Sequence, residues 1–220
     1  MSNIEFDEKK HQYKANGKVV PSVTEILEHI TAPGYGKVNP SILDEAKERG
    51  TAVHELTEEI DLGFPPEYID PAIEGYALAY LKFLEDYDVE WDYIEHQFYE
   101  PKMGFCGTID RVGKIDGADA VLDIKTTSAP SADQKIAVCI QTAAYASAMC
   151  GRGYFHDEYE TYALYLHNDG SYELFDCFQY QKDRAFVAYG IFEELCKLHN
   201  EIASIKKRRV IKTVTKEETK

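Results

Sequence analysis

No stretch of this 220-residue chain approaches the roughly 18 consecutive apolar residues of a membrane span. The opening Met1-Ser2-Asn3-Ile4-Glu5 has none of the character of a signal peptide, so a cytoplasmic protein is the expectation. Its five cysteines (Cys106, Cys139, Cys150, Cys177 and Cys196) are odd in number, scattered, and never spaced as CxxC. A disulfide framework or a zinc knuckle is therefore not expected, nor is an iron–sulfur cluster, which needs gathered thiolates. Buried free thiols fit the pattern better. The chain also lacks internal repeats, a Pro/Gly/Ser-rich linker and a GxxxxGK[ST] phosphate loop.

Positive charge is scarce. Against 24 basic residues stand 39 acidic ones, for a net charge of −15, which argues against binding nucleic acid through a broad basic surface. It leaves room for acidic residues that hold metal and for local cations. The one basic concentration is Lys206-Lys207-Arg208-Arg209 with Lys212 and Lys216, readable as a phosphate-contacting tail or as a solvated helix end.

What is present is a globular composition, 44% hydrophobic and 12% aromatic, long enough to bury a core. Ile4-Glu5-Phe6, His11 to Lys14, an Asn16-Gly17 turn and Val19-Val20 predict an N-terminal hairpin. Ser22 and Glu25 are spaced as a capping box and start a helix. A second helix is expected from about Ser41 through Ile60, ending before Gly63-Phe64-Pro65-Pro66, and a third from about Asp70 to Asp86. Strands should dominate from Trp91 to Thr127. A helix follows over Ser131 to Met149, then a hairpin of Tyr159–His167 and Tyr172–Phe178, and a long helix from Lys182 to about Lys207. The sum is one domain over residues 1–220, mixed α/β or α+β.

Chemistry concentrates in Gly107-Thr108-Ile109-Asp110-Arg111-Val112 and Ala120-Val121-Leu122-Asp123-Ile124-Lys125-Thr126. Between them, Asp116-Gly117 is a strong two-residue hairpin signal. With that turn, Val112 faces Val121, Ile109 faces Ile124, and Asp110 faces Asp123. Directly opposed Cβ atoms lie roughly 4.5–5.5 Å apart, so two carboxylates there repel unless a cation lies between them. Lys125, two residues past Asp123, projects on the same face and could bind a phosphate or orient a water. Two acids and a lysine on one face suit metal-assisted phosphodiester hydrolysis. An acid-pair hydrolase acting on something other than nucleic acid would need neither Lys125 nor His54.

Together with Gln141-Thr142-Ala143-Ala144-Tyr145, those segments resemble the RecB-type branch of the PD-(D/E)XK nucleases. Arg49-Gly50-Thr51-Ala52-Val53-His54-Glu55 matches that branch's upstream helix with its histidine, and Pro21 to Leu27 resembles the opening of phage-type and RecB-like exonucleases. The four motifs occur in the family's order. The resemblance implies a restriction-endonuclease-like core, a central mixed sheet flanked by helices. It implies Asp110 and Asp123 as ligands of Mg²⁺ or Mn²⁺, with the carbonyl of Ile124 and the side chain of His54 as further ligands. Lys125 would be the catalytic lysine, while Gln141 and Tyr145 would lie at the rim, touching DNA or orienting the site. For Tyr145, packing on the sheet is an equal alternative; for His54, a helix-surface or core histidine is the lesser alternative to the metal role. Glu95 matches an acidic position in the strand before the hairpin, and Glu58 lies one turn after His54. Arg49, Arg111, Lys125 and Lys135, with the C-terminal cluster, are expected to line a groove for DNA.

The function so implied is a metal-dependent deoxyribonuclease acting on single strands or duplex ends, an exonuclease of phage or RecB-like type, in recombination or DNA processing. A homo-oligomer or a recombination partner would be compatible with it. The alternatives are a non-catalytic nucleic-acid-binding module on the same fold, or a metal-dependent endonuclease. The family's iron–sulfur members carry a cysteine upstream of the histidine and a cluster near the C-terminus, and this chain has neither.

Overall fold

The computed structural model describes residues 4–7, 12–35, 39–127, 129–150, 159–184 and 186–217, with side chains throughout except at 33–35 and 208–217. The chain opens on a small antiparallel sheet of β1 (Ile4–Asp7), β2 (Gln12–Ala15) and β3 (Lys18–Val20). Asn16 (φ 51°) and Gly17 (φ 75°) make the tight β2–β3 turn that their sequence predicts. His11, assigned to that hairpin from the sequence, lies outside the described residues. Ser22 then caps α1 (Val23–Tyr35), its hydroxyl accepting from the Glu25 amide at 3.0 Å.

Asn39 caps α2 (Pro40–Asp61), with Pro40 in the first turn, where a missing N–H costs nothing. α3 (Glu74–Asp86) starts later than expected because residues 71–73 form a turn, held by Asp70 Oδ1 on the Ala72 amide. These two helices bury Val53, Leu56, Tyr80 and Phe83.

The central sheet has the order β4-β5-β6-β7-β8, from β4 (Val89–Glu100), β5 (Phe105–Ile115), β6 (Ala118–Lys125), β7 (Glu160–Leu166) and β8 (Tyr172–Asp176). The first three form an antiparallel meander. α4 (Ala132–Cys150) then carries the chain over to β7, which runs parallel to β6, and β8 returns antiparallel. One face packs under α4 and α1 through Val23, Ile26, Val112, Val121 and Ile140. The other packs under α2 and α3 through Val53, Tyr80, Leu122, Ile124 and Leu164. This is the mixed α/β architecture expected from the sequence.

The expected single C-terminal helix is two. α5 (Cys177–Asp183) is capped by Asp176, whose Oδ1 accepts from the Gln179 amide at 2.8 Å, and α6 spans Ala188–Glu217. The break is stabilised by Gln181, whose carbonyl accepts from Arg184 and Phe186 while its side-chain oxygen accepts from the Ala188 amide. None of the five cysteines is in a disulfide, and all but Cys150 are buried. No described helix is long and apolar enough to cross a membrane.

Candidate active site and metal centre

Asp116 (φ 50°) and Gly117 (φ 80°) form the β5–β6 turn, and the ladder they set pairs Val112 with Val121 and Arg111 with Leu122, as expected. There it stops. In a continued antiparallel ladder the Ile124 amide would donate to the main chain at Ile109. Instead it donates to Asp110 Oδ2 at 2.6 Å. The expected pairs Asp110–Asp123 and Ile109–Ile124 are therefore not part of the ladder: a side-chain carboxylate has taken the main-chain donor, and the two strands part at that point.

On the other side of β5, the β4–β5 register runs from Ile94↔Arg111 to His96↔Ile109, which sets Glu95 beside Asp110. Glu95 has φ 48°, the left-handed region that a strand residue with a side chain rarely occupies. The carboxylate of Glu95 and that of Asp110 converge on His54, which α2 delivers from the opposite layer. His54 Nδ1 is 3.5 Å from Glu95 Oε1 and 3.7 Å from Asp110 Oδ2. Its Nε2 donates to the Ile124 carbonyl at 3.1 Å. One ligand atom from each of His54, Glu95 and Asp110 lies within 4.8 Å of the others, the one such metal-capable group among the described residues.

Asp123 is not in that trio. It is almost wholly buried and forms an ion pair with Lys125, Nζ to Oδ2 at 2.6 Å. Burial raises the Asp123 carboxyl to about 6 against the pull of Lys125, with the Asp110 charge raising it further. Lys125 also donates to Gln141 Oε1 at 3.4 Å, and Gln141 Nε2 donates to Tyr145 OH at 2.9 Å. Burial lowers the affinity of His54 for a proton, but the Asp110 and Glu95 charges outweigh it and hold the imidazole at about 9. With no cation bound, imidazolium therefore supplies the positive charge between the two carboxylates.

The Ile124 carbonyl, which the resemblance makes a metal ligand, here accepts from His54; a carbonyl has a second lone pair to offer. Tyr145 is a correction. It is 3% exposed, edge-on to Phe98 at 5.8 Å, and packs under the sheet at Gly107 rather than at a rim. A Cβ on Gly107 would lie 3.2 Å from the Tyr145 ring, so this close approach depends on the glycine.

Arg111 is the larger correction. Its side chain is fully buried and cannot touch DNA. The guanidinium donates to Asp61 Oδ2 at 2.5 Å, the Asp110 carbonyl at 2.6 Å, Thr57 Oγ1 at 3.1 Å and Glu95 Oε1 at 3.3 Å. Tyr80 donates to the same Asp61 oxygen. In the sequence reading Asp61, Thr57 and Tyr80 had no part in the site. One signal was available: Thr57 and Asp61 follow His54 by three and seven residues, which puts all three on one face of α2.

Of the other cations expected to line a groove for DNA, Lys125 sits beside the acids. Lys135 pairs with Glu173 at 3.0 Å and sits over the Phe175 ring. Arg49 is half-buried on α2, and neither it nor Glu58 belongs to the group around His54. Lys206 and Lys207 are exposed, whereas the side chains of Arg208, Arg209, Lys212 and Lys216 lie outside the described residues.

A family model for the PD-(D/E)XK nuclease superfamily matches residues 23–174. That span contains His54, Glu95, Asp110, Asp123, Lys125 and Gln141. A comparison with curated proteins finds no match.

Proposed function

From the premise that the chain belongs to the PD-(D/E)XK nuclease superfamily, whose match covers more than half of it, we propose that it hydrolyses DNA phosphodiester bonds with Mg²⁺ or Mn²⁺, as an exonuclease of RecB or phage type. The observation that carries this reading is the convergence of His54, Glu95 and Asp110 beside the Asp123–Lys125 pair.

The donor set suits a divalent cation. Two carboxylates and one imidazole are what Mn²⁺ accepts and Mg²⁺ tolerates, and the two acids converge on a position now neutralised by imidazolium. Bound there, a cation supplies Lewis-acid polarisation of a phosphoryl oxygen and acidifies a water. His54 must be neutral to take part. The Ile124 carbonyl holds the proton on Nε2, which leaves the Nδ1 lone pair aimed at Glu95 and Asp110. Asp123 lies near enough to Asp110 and His54 to feel both charges, and would offer a further ligand to the cation with Lys125 turned to the phosphate.

Lys125 is then the residue that stabilises negative charge on the scissile phosphate. Gln141 steers it, because its own carboxamide is fixed by Tyr145. Arg111 reaches no substrate. It holds Glu95 and the Asp110 main chain in place from behind, which makes it a positioning residue.

End-labelled linear DNA and closed circular DNA, incubated with Mg²⁺, Mn²⁺ or EDTA, test the proposal. Release of label from linear DNA alone, abolished by EDTA, is expected. Cutting of the circle would replace exonuclease by endonuclease, and binding without cleavage in either metal would refute hydrolysis.

A further inference from the structure

The left-handed backbone at Glu95 has a second effect. In a regular strand, residues three apart lie on opposite faces. Tyr93 pairs with Val112 and His96 with Ile109, and both of those partners belong to the same buried cluster on the α4 side. The irregularity thus brings Tyr93 and His96 onto one face, and their rings meet at 4.5 Å between centroids. β4 is the edge strand among the described residues of this sheet, and Tyr93 is 48% exposed. His96 is bonded in sequence to Glu95, and Tyr93 lies within about 7 Å of it along the strand.

The charge around this pair narrows what it can hold. Glu90 and Asp92 are exposed on the same strand, and a phosphate would be repelled there. Of the cations that could have drawn DNA by charge, Arg111 is buried and Lys135 is paired with Glu173. What β4 presents next to the metal-capable trio is a pair of rings in contact with each other. Base faces stack on such rings whatever the sequence, but only when the base is not already stacked within a duplex.

We propose that Tyr93 and His96 form a stacking shelf for an unpaired base beside the scissile phosphate, so that the preferred substrate is a single strand or a frayed end. This rests on the nuclease reading and specifies the substrate of that same site.

The test uses a single-stranded oligonucleotide carrying 2-aminopurine near one end, and a blunt duplex of the same sequence, with Ca²⁺ in place of Mg²⁺ to suppress cleavage. Single-strand binding should quench 2-aminopurine. Tyr93→Ala should weaken it about tenfold, the loss of one stacked base, while Tyr93→Phe should bind normally. His96→Ala should weaken it in the same direction, and duplex affinity should change in neither variant. Equal single-strand affinity in both alanine variants would overturn the shelf, as would tighter binding of the duplex by the unsubstituted protein. Cleavage in Mg²⁺ is scored separately. A protein that cleaves DNA but ignores Tyr93→Ala refutes the shelf alone, and one that quenches 2-aminopurine yet never cleaves refutes the hydrolytic reading alone.

Discussion

Arg111→Met should be the most damaging single substitution near the site, although Arg111 cannot reach DNA. Arg111 has no exposed surface, and the Asp61 side chain is 2% exposed. Removing the guanidinium leaves Asp61 as an uncompensated buried charge and strips a partner from Glu95 and Thr57. Breaking one partner of such a pair costs about 3–5 kcal/mol. At roughly 2–4 °C per kcal/mol for a chain of this size, the midpoint should fall by about 6–20 °C. Thermal and urea unfolding followed by circular dichroism would measure it. The double variant Arg111→Met/Asp61→Leu provides the control, because removing both charges restores an apolar interior at the expense of one Tyr80 hydrogen bond. It should be more stable than Arg111→Met alone. An unchanged midpoint in the single variant, or a double variant less stable than the single, would refute the view that Arg111 acts by neutralising a buried carboxylate.

In the metal-free protein the raised proton affinity of His54, to about 9, favours folding fully below its unfolded value near 6.5, and that contribution is lost as pH rises through 9. Mn²⁺ affinity should move the other way, rising over the same window because the cation displaces that proton. Titration of Mn²⁺ between pH 6.5 and 9 should show this slope in the unsubstituted protein and lose it in His54→Ala; a flat profile would exclude His54 as a ligand. Lys125→Ala should cut release of end label roughly 10²–10³-fold, because the cation that would face the phosphate is gone. Near-normal turnover in that variant would remove Lys125 from the chemistry. A Cβ at Gly75 would fall 1.8 Å from the Asn168 carbonyl oxygen, so Gly75→Ala should lose about 1–3 kcal/mol in urea unfolding, and an unchanged midpoint would show that the 168–171 turn yields freely.

The parts of the fold written in local chemistry were legible. Asn16-Gly17 and Asp116-Gly117 have one backbone solution that suits a tight hairpin, and the second of them puts Val112 opposite Val121, as the ladder has it. Ser22 and Glu25 located the start of α1 for the same reason. What escaped was tertiary. The register extrapolates through Asp110, but the carboxylate there competes for the Ile124 amide, a contest that residue spacing does not display. An arginine beside an acid in a nuclease-like strand reads as a phosphate contact, and only the approach of α2 with Asp61 reveals a buried one. Tyr145 shares a helix face with Gln141 in either reading, and what separates rim from core is the Gly107 surface beneath its ring. Glu95 gave no sign of its backbone, because glutamate is not a residue from which a left-handed conformation is inferred.

Among the described non-glycine residues with positive φ, Asn16 and Asp116 sit in turns and are suited to them; Glu95 sits within a strand and is not. A left-handed residue with a long side chain costs about 1–2 kcal/mol relative to glycine. An engineer optimising thermostability from backbone preference alone would choose glycine there, and would obtain a more relaxed strand that had lost a carboxylate from the trio. The position therefore separates two kinds of fitness in one residue: the chain's own comfort, and the charge it presents to a cation. Libraries selected for heat resistance and libraries selected for turnover should diverge at residue 95 before they diverge at Asp110, where backbone and chemistry make no opposing demands.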